Sequence, residues 1–185
     1  MYIYRKIPDE RSFRILLVQG DSDVDSPIDC SLINRSLDGS GLEFEAISYC
    51  WNGQQASRTI TCEGGGLRVT INCEAALRRL RPVVNGETRL LWIDGVCIDQ
   101  ANDTEKSHQV AIMGSIYNRA KQVVIWLGDA RDPGRSSHNR AFRWLVNLAE
   151  ATECSVVETA KKRILEVARV LNTSGESSAE SEFDS

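Results

Sequence analysis

No apolar run in this 185-residue sequence approaches the roughly 20 residues needed to cross a bilayer as a helix. The opening residues, Met1-Tyr2-Ile3-Tyr4-Arg5-Lys6, also lack the long apolar block of a secretory signal. Together these absences predict a soluble, cytoplasmic chain without a membrane span. A basic excess is missing as well: 22 Lys and Arg stand against 26 Asp and Glu, a formal net charge of −4. That balance gives no global pull toward a nucleic-acid backbone or an anionic lipid surface, so no nucleic-acid partner is expected.

The six cysteines, Cys30, Cys50, Cys62, Cys73, Cys97 and Cys154, include no C-x-x-C pair. They are scattered, several inside apolar runs, through a chain long enough to bury its own core. They read as reduced core residues rather than a disulfide framework. Zinc would draw on Cys97 and His108, but nothing supplies two more ligands at the usual spacing, and no metal is expected. Gly64-Gly65-Gly66 is followed by neither the Lys-Ser/Thr pair nor the helix start of a phosphate loop, and reads as a hairpin turn. A Ser-His-Asp or paired-histidine constellation is also absent.

What is present is enough apolar material, 42% of residues, for one substantial core, and too little length for two full domains. The expected organisation is one domain over 1–171 and a Ser- and Glu-rich tail over 172–185 that stays disordered. Residues 13–18 read as a strand, a second short strand includes Ile28 and Cys30, and 37–41 is a turn rich in Gly and Asp. Residues 44–51 form a mostly buried strand, and 58–62 with 67–70 a hairpin. From Asn72 the pattern is helical until Pro82, with Ala75, Ala76, Leu77 and Leu80 on one side. Arg78, Arg79 and Arg81 lie largely opposite, as a solvated face or, alternatively, a phosphate partner.

The most informative stretch is Leu90-Leu91-Trp92-Ile93-Asp94-Gly95-Val96-Cys97-Ile98-Asp99-Gln100: an apolar strand that stops on an acid. In α/β sheets, ligands bind at the carboxyl ends of strands, where an acid is a candidate site residue. The helix that follows has Asn102, Asp103 and Thr104 as N-cap candidates, Glu105 in its first turn, and an apolar stripe of Val110, Met113, Tyr117 and Ala120. Residues 123–127 are a second buried strand. Strand, helix, strand makes a βαβ unit, which implies a parallel pair with a right-handed crossover. Helical patterns then return over 139–171.

Three blocks, "FEAISYCWNG", "LLWIDGVCIDQ" and "EKSHQVAIMGSIYNRAKQVVIWLGDA", together resemble the fungal heterokaryon incompatibility (HET) domain. The resemblance runs from about Tyr4 to Ala130, takes in "LRVTINCEAALRRLR", and keeps the family's order and approximate spacing. It departs at Asn52-Gly53, where the family usually has Gly-Asp, and at Asp99, where it usually has Asn. The family is associated with non-self recognition and regulated cell death, and is similar to Toll/interleukin-1 receptor (TIR) domains, some of which cleave NAD. "FEAISYCW" looks like the first TIR strand, and the helix near Glu105 looks like the one that carries the TIR catalytic glutamate. The resemblance implies a TIR-like, flavodoxin-like α/β domain with a mainly parallel central sheet and extra N-terminal β structure. Core motifs lie at 44–130, with a helical extension over 139–171.

NAD cleavage demands little of a site, because nicotinamide is cationic in the substrate and leaves neutral without being protonated. One carboxylate that steadies an oxocarbenium-like ribose suffices, a reduced form of glycosidase chemistry. NAD enters here as a substrate, and no prosthetic group is expected. Glu105 is the first choice for that carboxylate and Asp94 the second. Glu105 alternatively caps the helix, worth about 0.3–1 kcal/mol, and Asp94 alternatively bonds the loop backbone. Trp51 either stacks on a nicotinamide or adenine ring or packs in the core. Ser48 and Tyr49 accompany it at the strand end, and Gln100, His108 and Gln109 are candidate supporting donors. The TIR likeness further implies self-association for activity and an upstream receptor or incompatibility partner. The competing expectation is a self-associating adaptor without catalysis.

Overall fold

The computed structural model describes residues 1–126 other than 42 and 52, together with Gly128. Seven strands make one sheet: β1 (Ser12–Gln19), β2 (Asp29–Ser36), β3 (Glu45–Tyr49), β4 (Arg58–Cys62), β5 (Gly65–Val69), β6 (Thr88–Ile93) and β7 (Gln122–Trp126). The helices are α1 (Ile71–Leu80), the single turn α2 (Asp94–Cys97) and α3 (Asp103–Arg119). Sheet order is β5-β4-β2-β1-β6-β3-β7. The expected helical extension over 139–171, the tail over 172–185 and Cys154 lie outside the described residues.

The chain is α/β as expected, but its sheet is mixed rather than mainly parallel. β3 runs parallel to both β6 and β7, and β2 parallel to β4, whereas β1 is antiparallel to β2 and to β6, and β4 to β5. The N-terminal β structure therefore continues the same sheet. β1 supplies the seam, with Leu16 opposite Leu91 and Leu17 opposite Leu90. The strands flanking α3 are parallel, as a βαβ unit requires, but they are not neighbours, because β3 lies between them. Local pattern fixes the direction of β6 and β7; only the long-range apolar fit of Ala46 and Ile47 against Trp92 and Ile93 decides what separates them. Phe13, Ile15, Leu16, Leu91, Trp92 and Ile93 are buried at this seam, each large apolar side chain contributing about 1.5–3 kcal/mol over exposure.

The hairpin turn is two residues, Glu63 (φ 49°) and Gly64 (φ 77°), a pair of left-handed conformations whose twist matches the flanking strands. Two of the three glycines thus sit within β5. β2 is also longer than expected, extending to Ser36. α1 starts at Thr70, whose hydroxyl accepts from the Cys73 amide at 3.1 Å. Of the three arginines only Arg79 is solvated. Arg81, 6% exposed, donates to the Asp23, Ser26 and Pro27 carbonyls, and Arg78 to those of Val24 and Ser26. They clamp the acidic loop between β1 and β2, and these bonds occupy the donors a phosphate would need. Arg81→Ala is expected to lower stability by roughly 2–3 kcal/mol, read in urea denaturation, because several loop carbonyls lose a charged donor together.

α3 departs from its expected stripe at Val110. Val110 is 51% exposed, while Gln109 and Ile116 are buried, so the inward line runs through Glu105, Gln109, Ile112 and Ile116. Met113, Tyr117 and Ala120 of the expected stripe pack against the core, and counting only apolar residues missed the polar inward positions Glu105 and Gln109. Among the described residues, no helix is long and apolar enough to cross a membrane.

Candidate functional site

The carboxyl ends of the parallel strands β6, β3 and β7 converge, and with the start of α2 they bring Asp94, Tyr49, Trp51 and Trp126 to one end of the sheet. The last two residues of β3 reach different helices. Ser48 lies beside the Tyr117 hydroxyl on α3, and Tyr49 lies against Cys73 on α1. Successive strand residues face opposite ways, so the two helices flank opposite faces here.

Asp94 follows the last residue of β6 and opens α2. Its Oδ1 accepts from the Gly95 amide at 2.7 Å, and both carboxylate oxygens lie 3.3 Å from the Trp51 indole nitrogen. Burial pushes its pKa above the ordinary aspartate value, an effect the Gly95 and Trp51 donors only partly offset. The Tyr49 and Trp51 rings stack at 6.2 Å with an interplanar angle of 27°. A Cβ on Gly95 would lie 2.3 Å from the Tyr49 hydroxyl, so only glycine lets the phenol cover this turn. Burial, reinforced by the charge of Asp94, lifts the Tyr117 phenol to about 12. Gln100 stays close, donating to the Asp94 carbonyl at 2.9 Å.

Glu105 stands elsewhere. Its carboxylate takes two bonds from the Arg14 guanidinium, at 2.5 and 2.9 Å, and a third from the Asp99 amide at 2.8 Å. Arg14 is 2% exposed and also donates to the carbonyls of Arg5 and Cys97, with the Tyr4 ring 4.9 Å from its guanidinium carbon. The Asn102 side chain caps the Glu105 amide at 3.1 Å, which selects Asn102 among the three N-cap candidates of the sequence. Glu105 and Asp94 share no hydrogen-bonding side chain. Gln109 is fully buried against β1, donating to Ser12 O at 2.9 Å. His108 is half-buried on α3 and makes no hydrogen bond among the described residues. Cys97 is buried beneath β6, and no group of three or more His, Cys, Asp or Glu placed to hold a metal occurs among the described residues.

Several important residues were not singled out from sequence. Asn72, 5% exposed, braces the site: its side-chain amide donates to Cys50 O at 2.7 Å and accepts from the Trp126 indole at 3.0 Å, while its backbone amide donates to Gln54. Tyr117 reaches the Ile47 carbonyl at 3.4 Å and packs edge-on against Trp92. Arg14 carried a usable signal, a charge between Phe13 and Ile15 in an otherwise apolar strand. Such a charge requires a buried partner. Two cavities, of about 170 and 290 Å³, lie away from Asp94, one beside Tyr2 and Arg14 and the other beside Phe44 and Arg119.

The model of the heterokaryon incompatibility protein family (HET) matches residues 44–179, a span that holds β3, β6, β7, α3 and Asp94. The chain belongs to the HET family. It is also similar to heterokaryon incompatibility protein 6, OR allele, of Neurospora crassa, at 39% identity over 98 residues, 47% of this chain. The HET chain described here spans only 14% of that relative's length. No solved structure matches it.

Proposed function

We propose that this HET domain acts in fungal non-self recognition and regulated cell death, and that it cleaves NAD at the strand-end site with Asp94 as the working carboxylate. The observation that carries this reading is the placement of Asp94: an acid at the carboxyl end of a parallel strand, with its pKa raised by burial and a stacked Tyr49–Trp51 pair beside it. The name of the Neurospora relative supports the biological role, and the TIR likeness of the strand and helix patterns supports the chemistry.

In this reaction the bond from ribose C1′ to the nicotinamide nitrogen breaks and its electron pair neutralises the pyridinium. Water then adds to C1′ and releases a proton, giving nicotinamide and ADP-ribose. The Asp94 carboxylate steadies the ribose cation between those events. Trp51, already donating to Asp94, offers its face to the departing ring. Self-association switches the activity on, under the control of an upstream receptor or incompatibility partner.

Only ionised Asp94 does this work, so turnover falls as pH drops through its raised pKa, beginning at a higher pH than an ordinary aspartate would give. A pH profile of nicotinamide release from NAD, on concentrated or artificially oligomerised protein, checks it. A second reading has its own observation: Glu105, the acid in the position resembling the TIR glutamate, is already held by Arg14 and the Asp99 amide. In that reading the domain is a self-associating adaptor. Concentration-dependent assembly with no nicotinamide release under any of these conditions selects it.

A further inference from the structure

Two cysteines stand directly opposite one another on β2 and β4. Cys30 and Cys62 are register partners in a parallel pairing and are 3% and 0% exposed. Adjacent strands run about 4.7–4.9 Å apart, inside the separation of about 4.4–6.8 Å over which Cα atoms of a disulfide lie. Both side chains point to the face that holds Arg14 and Leu32, beneath the N-terminal segment. Tyr2 crosses here, its amide bonded to Gly66 O at 2.8 Å and its hydroxyl close to Cys62. The Cys30 thiol donates to Thr61 O at 3.1 Å. The neighbouring Cys30 is the largest influence on Cys62 and shifts its pKa below the ordinary thiol value, against the opposing effects of burial and Glu63. A cavity of about 170 Å³ nearby is lined by Tyr2, Arg14 and Leu32 but by neither cysteine.

We propose that Cys30 and Cys62 are a modification site, a buried dithiol that hydrogen peroxide closes to a reversible disulfide. The Cys62 thiolate attacks one peroxide oxygen, breaking the O–O bond and becoming a sulfenic acid as the first water leaves. Cys30 sulfur then attacks the Cys62 sulfur, expelling the second water. Two thiols and one peroxide give one disulfide and two waters. The bond reinforces a thin junction, since β2 and β4 share only the register pairs Asp29–Thr61 and Cys30–Cys62. From β4 the chain passes through β5 and Thr70 into α1, which carries Asn72. The staple therefore fixes the hairpin leading to the brace of the strand-end site. It stands whether or not that site turns over NAD.

The test is peptide mapping of the full chain after peroxide treatment, with remaining thiols blocked by maleimide in denaturant before proteolysis. Expected is a Cys30–Cys62 linked peptide in a protein lighter by about 2 Da, restored by dithiothreitol. Maleimide on both residues at peroxide doses that fully oxidise exposed Cys50, or a bond from either to a different cysteine, overturns the proposal.

Discussion

Replacing Arg14 by methionine is expected to destabilise the domain by about 3–5 kcal/mol, because it leaves the Glu105 carboxylate largely buried without its counter-charge. Against a total stability of about 5–15 kcal/mol, that is enough to unfold a marginal domain, and it should appear as a Tm lowered on the order of 10–20 °C. Two further hydrogen bonds, to Arg5 O and Cys97 O, and the contact with the ring of Tyr4 are lost with the guanidinium. Glu105→Ala is expected to be similarly damaging, since Arg14 at 2% exposure then carries the unpaired charge. A double variant, Arg14→Met with Glu105→Leu, should recover much of the loss, because removing both charges removes the desolvation penalty too. Equal and additive losses for the singles and the double, in a urea-denaturation cycle, contradict a coupled pair. Loss of activity in Glu105→Ala therefore does not identify Glu105 as a reacting group: the variant loses its fold first.

Asp94→Asn is expected to do the opposite, abolishing turnover without harming the fold. Asparagine keeps the shape and one oxygen acceptor for the Gly95 amide and the Trp51 indole, but it cannot carry the charge that steadies a ribose cation. The sign of the stability effect follows from linkage. The folded-state pKa of Asp94 is raised above its unfolded value, so its stabilising contribution is fully present below the unfolded pKa and is lost as pH rises through the folded one. At neutral pH the ionised group is a net cost to folding, and the neutral amide removes that cost. Unchanged or higher Tm beside lost nicotinamide release is the expected combination. Removal of an acid that limits stability is the pattern of a residue kept for function.

Much of this arrangement was legible in the chain. The apolar run ending at Asp94, the β3 strand, the hairpin around Glu63-Gly64 and the Asn102 cap all follow from local pattern and turn chemistry, and the structure shows each. What was not legible depends on contacts far apart in sequence. Arg14 and Glu105 are 91 residues apart, and Gln109 and Ser12 are 97; a helix face read from apolar spacing alone gives such polar anchors to solvent and turns the helix to put Val110 inside. The position of β3 between β6 and β7, and the antiparallel seam at β1, arise from matching whole apolar surfaces, which no local window contains. Arg81 illustrates the same limit, since a helix-end arginine looks solvated until the carbonyls of a loop more than 50 residues away close on it.

The most direct test is nicotinamide release from NAD by the artificially oligomerised chain, measured for the natural sequence and for Asp94→Asn, with thermal unfolding of both in the same buffer. The account predicts release by the natural chain, none by the variant, and a variant at least as thermostable. Equal release by both proteins, or none from the natural chain once assembled, contradicts it.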